Sequence, residues 1–213
     1  MGQFLHGCGF TVLSALLAGH GTDPRELDKT TWRDWYGTAY EGWLTLHESC
    51  QHVFAIGQSL GGSLSLHLAA HAPLSAVVTT AAPLILERRM LWLARALRHV
   101  LPYRKKGLSN IHDPEALARR VAYNRTPTRS SEQALLFFRH LYDDLPEVHI
   151  PALLFHSRQD LTVHPSMMPR IYARLGSAEK EMVWLENSGH VVTEDYDREM
   201  LYARIHAFIE KHT

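Results

Sequence analysis

Cysteine is scarce. Cys8 and Cys50 are the only two in 213 residues, too few for a disulfide framework, so a reduced, cytoplasmic compartment is the expectation. No apolar run reaches 18 uncharged residues, and no membrane-spanning helix is expected. No basic stretch precedes an apolar segment at the N-terminus, so no secretory leader is legible there. Charge of one sign is not in excess: 22 Lys and Arg balance 22 Asp and Glu, which removes the bulk electrostatic argument for a nucleic-acid partner. The 15 histidines include no His-x-Glu-x-x-His pattern, and Cys-x-x-Cys is absent, so neither a metal nor any other cofactor is expected. Internal repeats and low-complexity segments are also missing. What remains is a chain with 46% hydrophobic and 21% charged residues, ordinary for one globular core with room for one insertion.

The most informative segment is Gly57-Gln58-Ser59-Leu60-Gly61-Gly62, directly after the apolar run 52–56 and before a helix-compatible stretch, 63–71. Strand, Gly-x-Ser-x-Gly, helix is the context of a nucleophile elbow, whose strained turn holds a serine hydroxyl above the end of a strand. Gly57 and Gly61 are the positions expected to permit the close backbone approach. The amides after Ser59, Leu60 first, lie at a helix N-terminus, where donors and the macrodipole favour an oxyanion. An ordinary serine in a glycine-rich turn is the plainer alternative.

A nucleophilic serine needs a base, and the base an orienting acid. The apolar run 150–155 reads as a buried strand and places Asp160 in the loop beyond it. A helix-like stretch, 167–175, follows. A second strand, 181–185, leads into Glu186-Asn187-Ser188-Gly189-His190, where Gly189 is expected to let the loop turn. Ser59, Asp160 and His190 would thus all follow strands at one edge of a parallel sheet, where open α/β sheets place their sites. His164 lies inside the acid's own loop and is a poor base. Asp195 and Asp197 fit the first turn of the final helix, where acids suit the dipole. The stripe Trp32, Trp35, Tyr36, Ala39, Tyr40, Trp43 and Leu46 has helical spacing and reads as core packing within a helix over 32–48.

Ala18-Gly19-His20-Gly21, the Gly-Gln-Ser-Leu-Gly-Gly segment, Ala81-Ala82-Pro83, Ser157-Arg158-Gln159-Asp160 and Asn187-Ser188-Gly189-His190 run nearly end to end. In order and spacing they resemble the small carboxylesterase and monoacylglycerol lipase group of the α/β-hydrolase superfamily. The resemblance implies an α/β fold with a mostly parallel sheet, Ser59 as nucleophile, Asp160 as acid, His190 as base and the Leu60 amide in the oxyanion hole. It implies a serine carboxylesterase acting on short- to medium-chain acyl esters or monoacylglycerols. A hydrolase-fold acyltransferase or perhydrolase would use the same residues, and a non-catalytic or unstable fragment is the reading from another class.

The beginning of the chain departs from the group's pattern. Such enzymes carry a His-Gly-Phe-type loop after their third strand, which supplies the second oxyanion amide. His6-Gly7-Cys8-Gly9 is too close to Gly19-His20-Gly21 to be that loop, since only residues 10–18 separate them, enough for a strand alone. Residues 1–8 read as the end of a helix with Gly9 as its cap, and 10–17 as a strand. An N-terminally truncated fold, marginally stable and weak in activity, is therefore expected. Either the neighbouring strands close on each other or an apolar edge is left exposed. Loss of one oxyanion donor costs on the order of 10²–10³ in rate.

Residues 1–83 and 146–213 form the expected core, and 84–145 a helical lid. That stretch reads as helices over 84–101, 114–123 and 131–141 with no strand. From 84 to 130 it holds 11 Lys and Arg against three acids. A solvated face is the plain reading; docking on anionic lipid is the alternative. Ile85, Leu86, Leu91, Trp92 and Leu93 are expected to face inward over the site. No Arg or Lys adjoins the three motifs except Arg158, which suits neutral esters.

Overall fold

A computed structural model describes every residue except Lys106 and Leu108. Lys106, one of the basic residues counted above, therefore lies outside the described residues. In chain order the elements are α1 (Gly2–Gly7), α2 (Pro24–Lys29), α3 (Trp32–His47), β1 (Phe54–Gln58), α4 (Leu60–His71), β2 (Ala76–Thr80) and α5 (Arg88–Leu97). These are followed by β3 (Tyr103–Lys105), α6 (Pro114–Arg119), β4 (Arg125–Pro127), α7 (Thr128–Asp144), β5 (Ala152–Ser157), α8 (Met167–Arg174), β6 (Lys180–Leu185) and α9 (Arg198–Lys211).

The main sheet is parallel throughout, in the order β1-β2-β5-β6. β2 and β5 are buried along their whole length, as expected where helices cover both faces of a parallel sheet. Alternation along each strand divides the core in two. Val77 and Leu154 join the cluster under α3, α4, α7 and α8. Val78, Leu153 and Phe155 join Leu5 of α1 and Leu201, Ile205 and Ile209 of α9. In α4, residues 62–69 are all buried, so the helix after the serine is a core helix, packed beneath α3 and α7.

The end of α1 follows the sequence reading. Gly9 has φ +95°; its amide bonds the His6 carbonyl, and the Phe10 amide reaches back to Leu5 at 3.2 Å. This is a Schellman ending, with Leu5 and Phe10 in one apolar cluster. His6 and Gly7 are helical rather than part of an extended loop.

Residues 10–17 do not form the expected strand. A strand needs a neighbouring ladder, and this segment instead passes over α1 and α3, where a Cβ on Gly42 would meet the Leu13 side chain at 3.0 Å. β1 is consequently an edge of the sheet, and Val12, Leu13 and Leu16 are exposed.

The stretch 84–145 does contain strands: β3 and β4 pair antiparallel, Tyr103 opposite Pro127. Nor do all its apolar residues face inward. Trp92 is 73% exposed and Leu93 51%, because α5 docks on α7 through another face. There the Glu132 carboxylate, itself buried, accepts bonds from Arg95 Nε at 3.1 Å and Arg98 Nη1 at 2.8 Å.

Candidate active site

Ser59 follows β1 at the carboxyl edge of the sheet. Its backbone has φ 52° and ψ −124°, a conformation costly for a residue with a side chain and held here by the surrounding contacts. The Ser59 amide donates to the Thr80 carbonyl at 2.8 Å, so the sheet ladder continues into the turn. A Cβ on Gly57 would lie 2.2 Å from the Gly61 carbonyl oxygen, and one on Gly62 3.0 Å from the Gly57 oxygen. Gly61 itself has open space around its missing Cβ. The close approach therefore requires Gly57 and Gly62, not Gly57 and Gly61.

β5 and β6 end at the same edge and bring the other two residues to Ser59. His190 Nε2 is 3.0 Å from Ser59 Oγ, and His190 Nδ1 is 2.8 Å from Asp160 Oδ2. Nδ1–H donates to the carboxylate, which leaves Nε2 free to accept the serine proton. The remaining oxygen of Asp160, Oδ1, accepts the amides of Thr162 and Val163, both at 2.8 Å. His156 Nε2 adds a bond to Oδ2 at 3.1 Å. Burial pushes the Asp160 pKa up, but the hydrogen bonds from His156 and His190 outweigh it and hold the carboxyl well below the usual carboxylate range. Asp160 is thus ionised, with hydrogen bonds to both carboxylate oxygens.

Leu60 opens α4. Its amide is among the first-turn donors that have no carbonyl a turn earlier in the helix.

Several residues that shape the site were not singled out from the sequence. The Asn110 carbonyl accepts the His190 amide at 2.8 Å, and its Oδ1 accepts the Leu161 amide at 2.9 Å, so one residue ties the base loop to the acid loop. Gly189 is needed for this approach: a Cβ there would fall 2.4 Å from the Asn110 oxygen. The turn-making role expected for Gly189 is not what the structure requires, as its φ is not positive. Gln58 donates to the His190 carbonyl and accepts from Thr193. Asp197 is the N-cap residue of α9 and Asp195 lies just before it, but the Asp197 side chain makes no capping bond to the helix. The Asp195 carboxylate takes the amides of His112, Asp113 and Gly189, and Asp197 takes the Asn187 amide and the Ser188 hydroxyl. Both acids follow the histidine closely in sequence: Asp197 bonds back into the histidine's own loop, and Asp195 joins that loop to His112 and Asp113. His164 turns away and bonds Ser166. Arg158 lies over the Trp184 ring and pairs with Glu186.

A serine on a strained strand-to-helix turn, lined up with a histidine and a buried carboxylate at the edge of a parallel sheet, defines the α/β-hydrolase class. The family model described as "Alpha/beta hydrolase family" matches residues 2–203, and the chain belongs to that family. It is 34% identical over 206 residues to the thermostable monoacylglycerol lipase of Bacillus sp. (strain H-257), covering 96% of this chain and 81% of that one. It is 26% identical to the carboxylesterase of Bacillus subtilis (strain 168), with 99% and 85% covered. A solved structure from the metagenome-derived lipolytic enzymes LipS and LipT superposes with a TM-score of 0.93 at 32% identity, with 99% and 86% covered. The Paleococcus ferrophilus monoacylglycerol lipase, at 18% identity and a TM-score of 0.73, shares the fold over 86% of this chain and 77% of its own. The expectation of an enzyme of the carboxylic ester hydrolase kind holds against these relatives.

Proposed function

We propose that the protein hydrolyses short- to medium-chain acyl esters, monoacylglycerols among them, through Ser59, His190 and Asp160. The observation that carries this reading is the unbroken hydrogen-bond line from Ser59 Oγ through His190 to Asp160. His190 Nε2 takes the Ser59 proton as Oγ bonds to the ester carbonyl carbon. The Leu60 amide supports the resulting oxyanion. As the tetrahedral species collapses, the alcohol leaves with the proton from His190, and an acyl-serine remains. A water molecule, deprotonated by His190, then releases the acid and restores Ser59. Asp160 stays ionised and fixes the imidazole tautomer. The α/β-hydrolase family and the two Bacillus relatives support ester chemistry, and the absence of a Lys or Arg beside the three motifs other than the engaged Arg158 supports neutral substrates.

Residues 84–145 act in this reading as a cap, fastened to the site loops at Asn110 and Asp195. The outward Trp92 and Leu93, with the exposed Arg88 and Arg89, suit contact with an anionic lipid surface. The direct test compares p-nitrophenyl esters of two to twelve carbons and monoacylglycerols as substrates for the wild type and Ser59→Ala. Turnover confined to the wild type and favouring neutral short and medium chains is expected. A preference for charged acyl groups or peptides, or equal turnover by Ser59→Ala, would contradict the proposal.

A further inference from the structure

Away from Ser59, α4 carries two histidines that the ester chemistry does not use. His67 and His71 are one helical turn apart, and the end of α7 brings Asp144 between them. Asp144 Oδ2 is 2.7 Å from His67 Nδ1, and Oδ1 is 3.3 Å from His71 Nε2. One potential ligand atom from each residue lies within 4.8 Å of the others.

We propose that His67, His71 and Asp144 form a binding site for a divalent transition-metal ion of the zinc class, which fastens α4 to α7. Histidines at i and i+4 present two imidazoles on one helix face, the spacing used by helical zinc sites. Two imidazoles and one carboxylate suit zinc rather than magnesium or calcium, which favour all-oxygen shells. Zinc bonds of about 2.0–2.2 Å draw donors to within about twice that of one another. The donors already lie within 4.8 Å of one another, and the His71 side chain is 45% exposed, which leaves room for its ring to adjust. The 2.7 Å bond between His67 and Asp144 opens as the metal takes Nδ1 of His67, whose ring proton then resides on Nε2, and water completes the shell on the exposed side.

The surroundings are built for a fixed first ligand. His67 is buried, and the rings of Tyr36, Phe137 and Trp32 pack edge-on against it at 4.5, 5.4 and 5.8 Å between centroids. Burial lowers the His67 pKa against the opposing pull of Asp144, so the neutral, metal-binding form prevails at neutral pH. The site lies about 12 Å along α4 from the Ser59 end, so it belongs to the packing of the helix that follows the elbow and not to the ester site. The i, i+4 spacing of His67 and His71 is present in the sequence, but the third ligand comes from more than 70 residues away, so the spacing alone did not mark a site.

The test adds Zn²⁺ to the chelator-treated full chain. Binding is followed by calorimetry and by the melting temperature, and Co²⁺ is substituted to read the ligand field by visible absorption. One ion per chain, a raised melting temperature and a nitrogen-ligated Co²⁺ spectrum are expected. An outer partner of a metal ligand alone is worth roughly 10–100-fold in affinity, so His71→Ala and Asp144→Asn, which each remove a ligand, should weaken binding by at least that. His71 is exposed and Asp144 keeps its shape as Asn, so both variants retain the core. Absence of binding at micromolar Zn²⁺, or equal affinity in the wild type and both variants, would overturn the site and leave a hydrogen-bonded cluster or adventitious surface histidines.

Discussion

His156 and His190 share one oxygen of Asp160, and the His156 bond, 3.1 Å from Nε2 to Oδ2, is fully buried. His156 Nε2 is also 3.0 Å from the Val163 carbonyl. A carbonyl only accepts, so Nε2 carries the proton and donates to both oxygens. The opposite nitrogen, Nδ1, is buried without a partner among the described residues. His156 is therefore a positioning residue for Asp160. A hydrogen bond to a charged group is worth about 1.5–3 kcal/mol, so His156→Phe, which keeps the ring volume, should lower kcat about tenfold or more with KM little changed. Steady-state kinetics on a soluble ester decides it; an unchanged kcat would remove the role.

The glycines of the elbow separate the geometry from the sequence pattern. Gly57→Ala forces a Cβ into the Gly61 carbonyl and should destabilise the fold by about 1–3 kcal/mol or prevent folding. Gly61→Ala meets nothing within 4 Å in a helical position, and Ala is favoured over Gly in a helix by roughly 0.5–1 kcal/mol. Its melting temperature should match or exceed the wild type's. Equal losses in the two variants would contradict the packing described for the turn.

Acid stability is expected to depend on His67. Its pKa is depressed in the fold, chiefly by burial, so the unfolded chain binds more protons below the ordinary histidine pKa of about 6.5. Stability from this group is therefore complete above that pH and declines as the pH falls toward the folded pKa. The titratable groups packed around it are Asp144, His71, His140 and Tyr36. His67→Gln should show a smaller drop in melting temperature between pH 7.5 and 5.5 than the wild type, whatever its absolute stability. An equal drop would place the pH dependence elsewhere.

The lipid contact proposed for α5 is separable from chemistry. Leu93→Glu and Trp92→Glu replace exposed apolar side chains, and each should weaken binding to phosphatidylserine vesicles about tenfold, given about 1.5–3 kcal/mol for a buried large apolar side chain. Removing Arg88 and Arg89 should cost about 1 kcal/mol each and lose its effect in high salt. Turnover of soluble p-nitrophenyl acetate should stay unchanged. Sedimentation with vesicles measures the first effect. Binding that ignores all four substitutions would leave this face a solvated one.

The elements that position the site were largely readable. Short apolar runs with Gly, Asp and His after them gave β1, β5 and β6 and put Ser59, Asp160 and His190 at one sheet edge, because strand burial and turn chemistry are local properties. The apolar stretch at 10–17 looked like a strand, but pairing is not local, and among the described residues no ladder lies beside it. The apolar residues of α5 had helical spacing, yet spacing does not say which face is covered; the buried Glu132 of α7 turns Arg95 and Arg98 inward and Trp92 outward. Asn110 was silent for the same reason, since it acts on loops distant in sequence; His156 lies only four residues from Asp160, but its contact with the carboxylate is set by the fold of the loop and not by spacing. Gly189 was noticed, but for a turn, whereas the approach of Asn110 is what excludes a side chain there.

The measurement that bears most directly on the proposed chemistry is covalent labelling by a fluorophosphonate, read by mass spectrometry of the intact chain and its peptides. The line from Ser59 through His190 to Asp160 predicts one adduct per chain, on Ser59, absent from Ser59→Ala and slowed by orders of magnitude in His190→Ala and Asp160→Asn. An adduct on another serine, labelling that persists in Ser59→Ala, or an undiminished rate without His190 would contradict it.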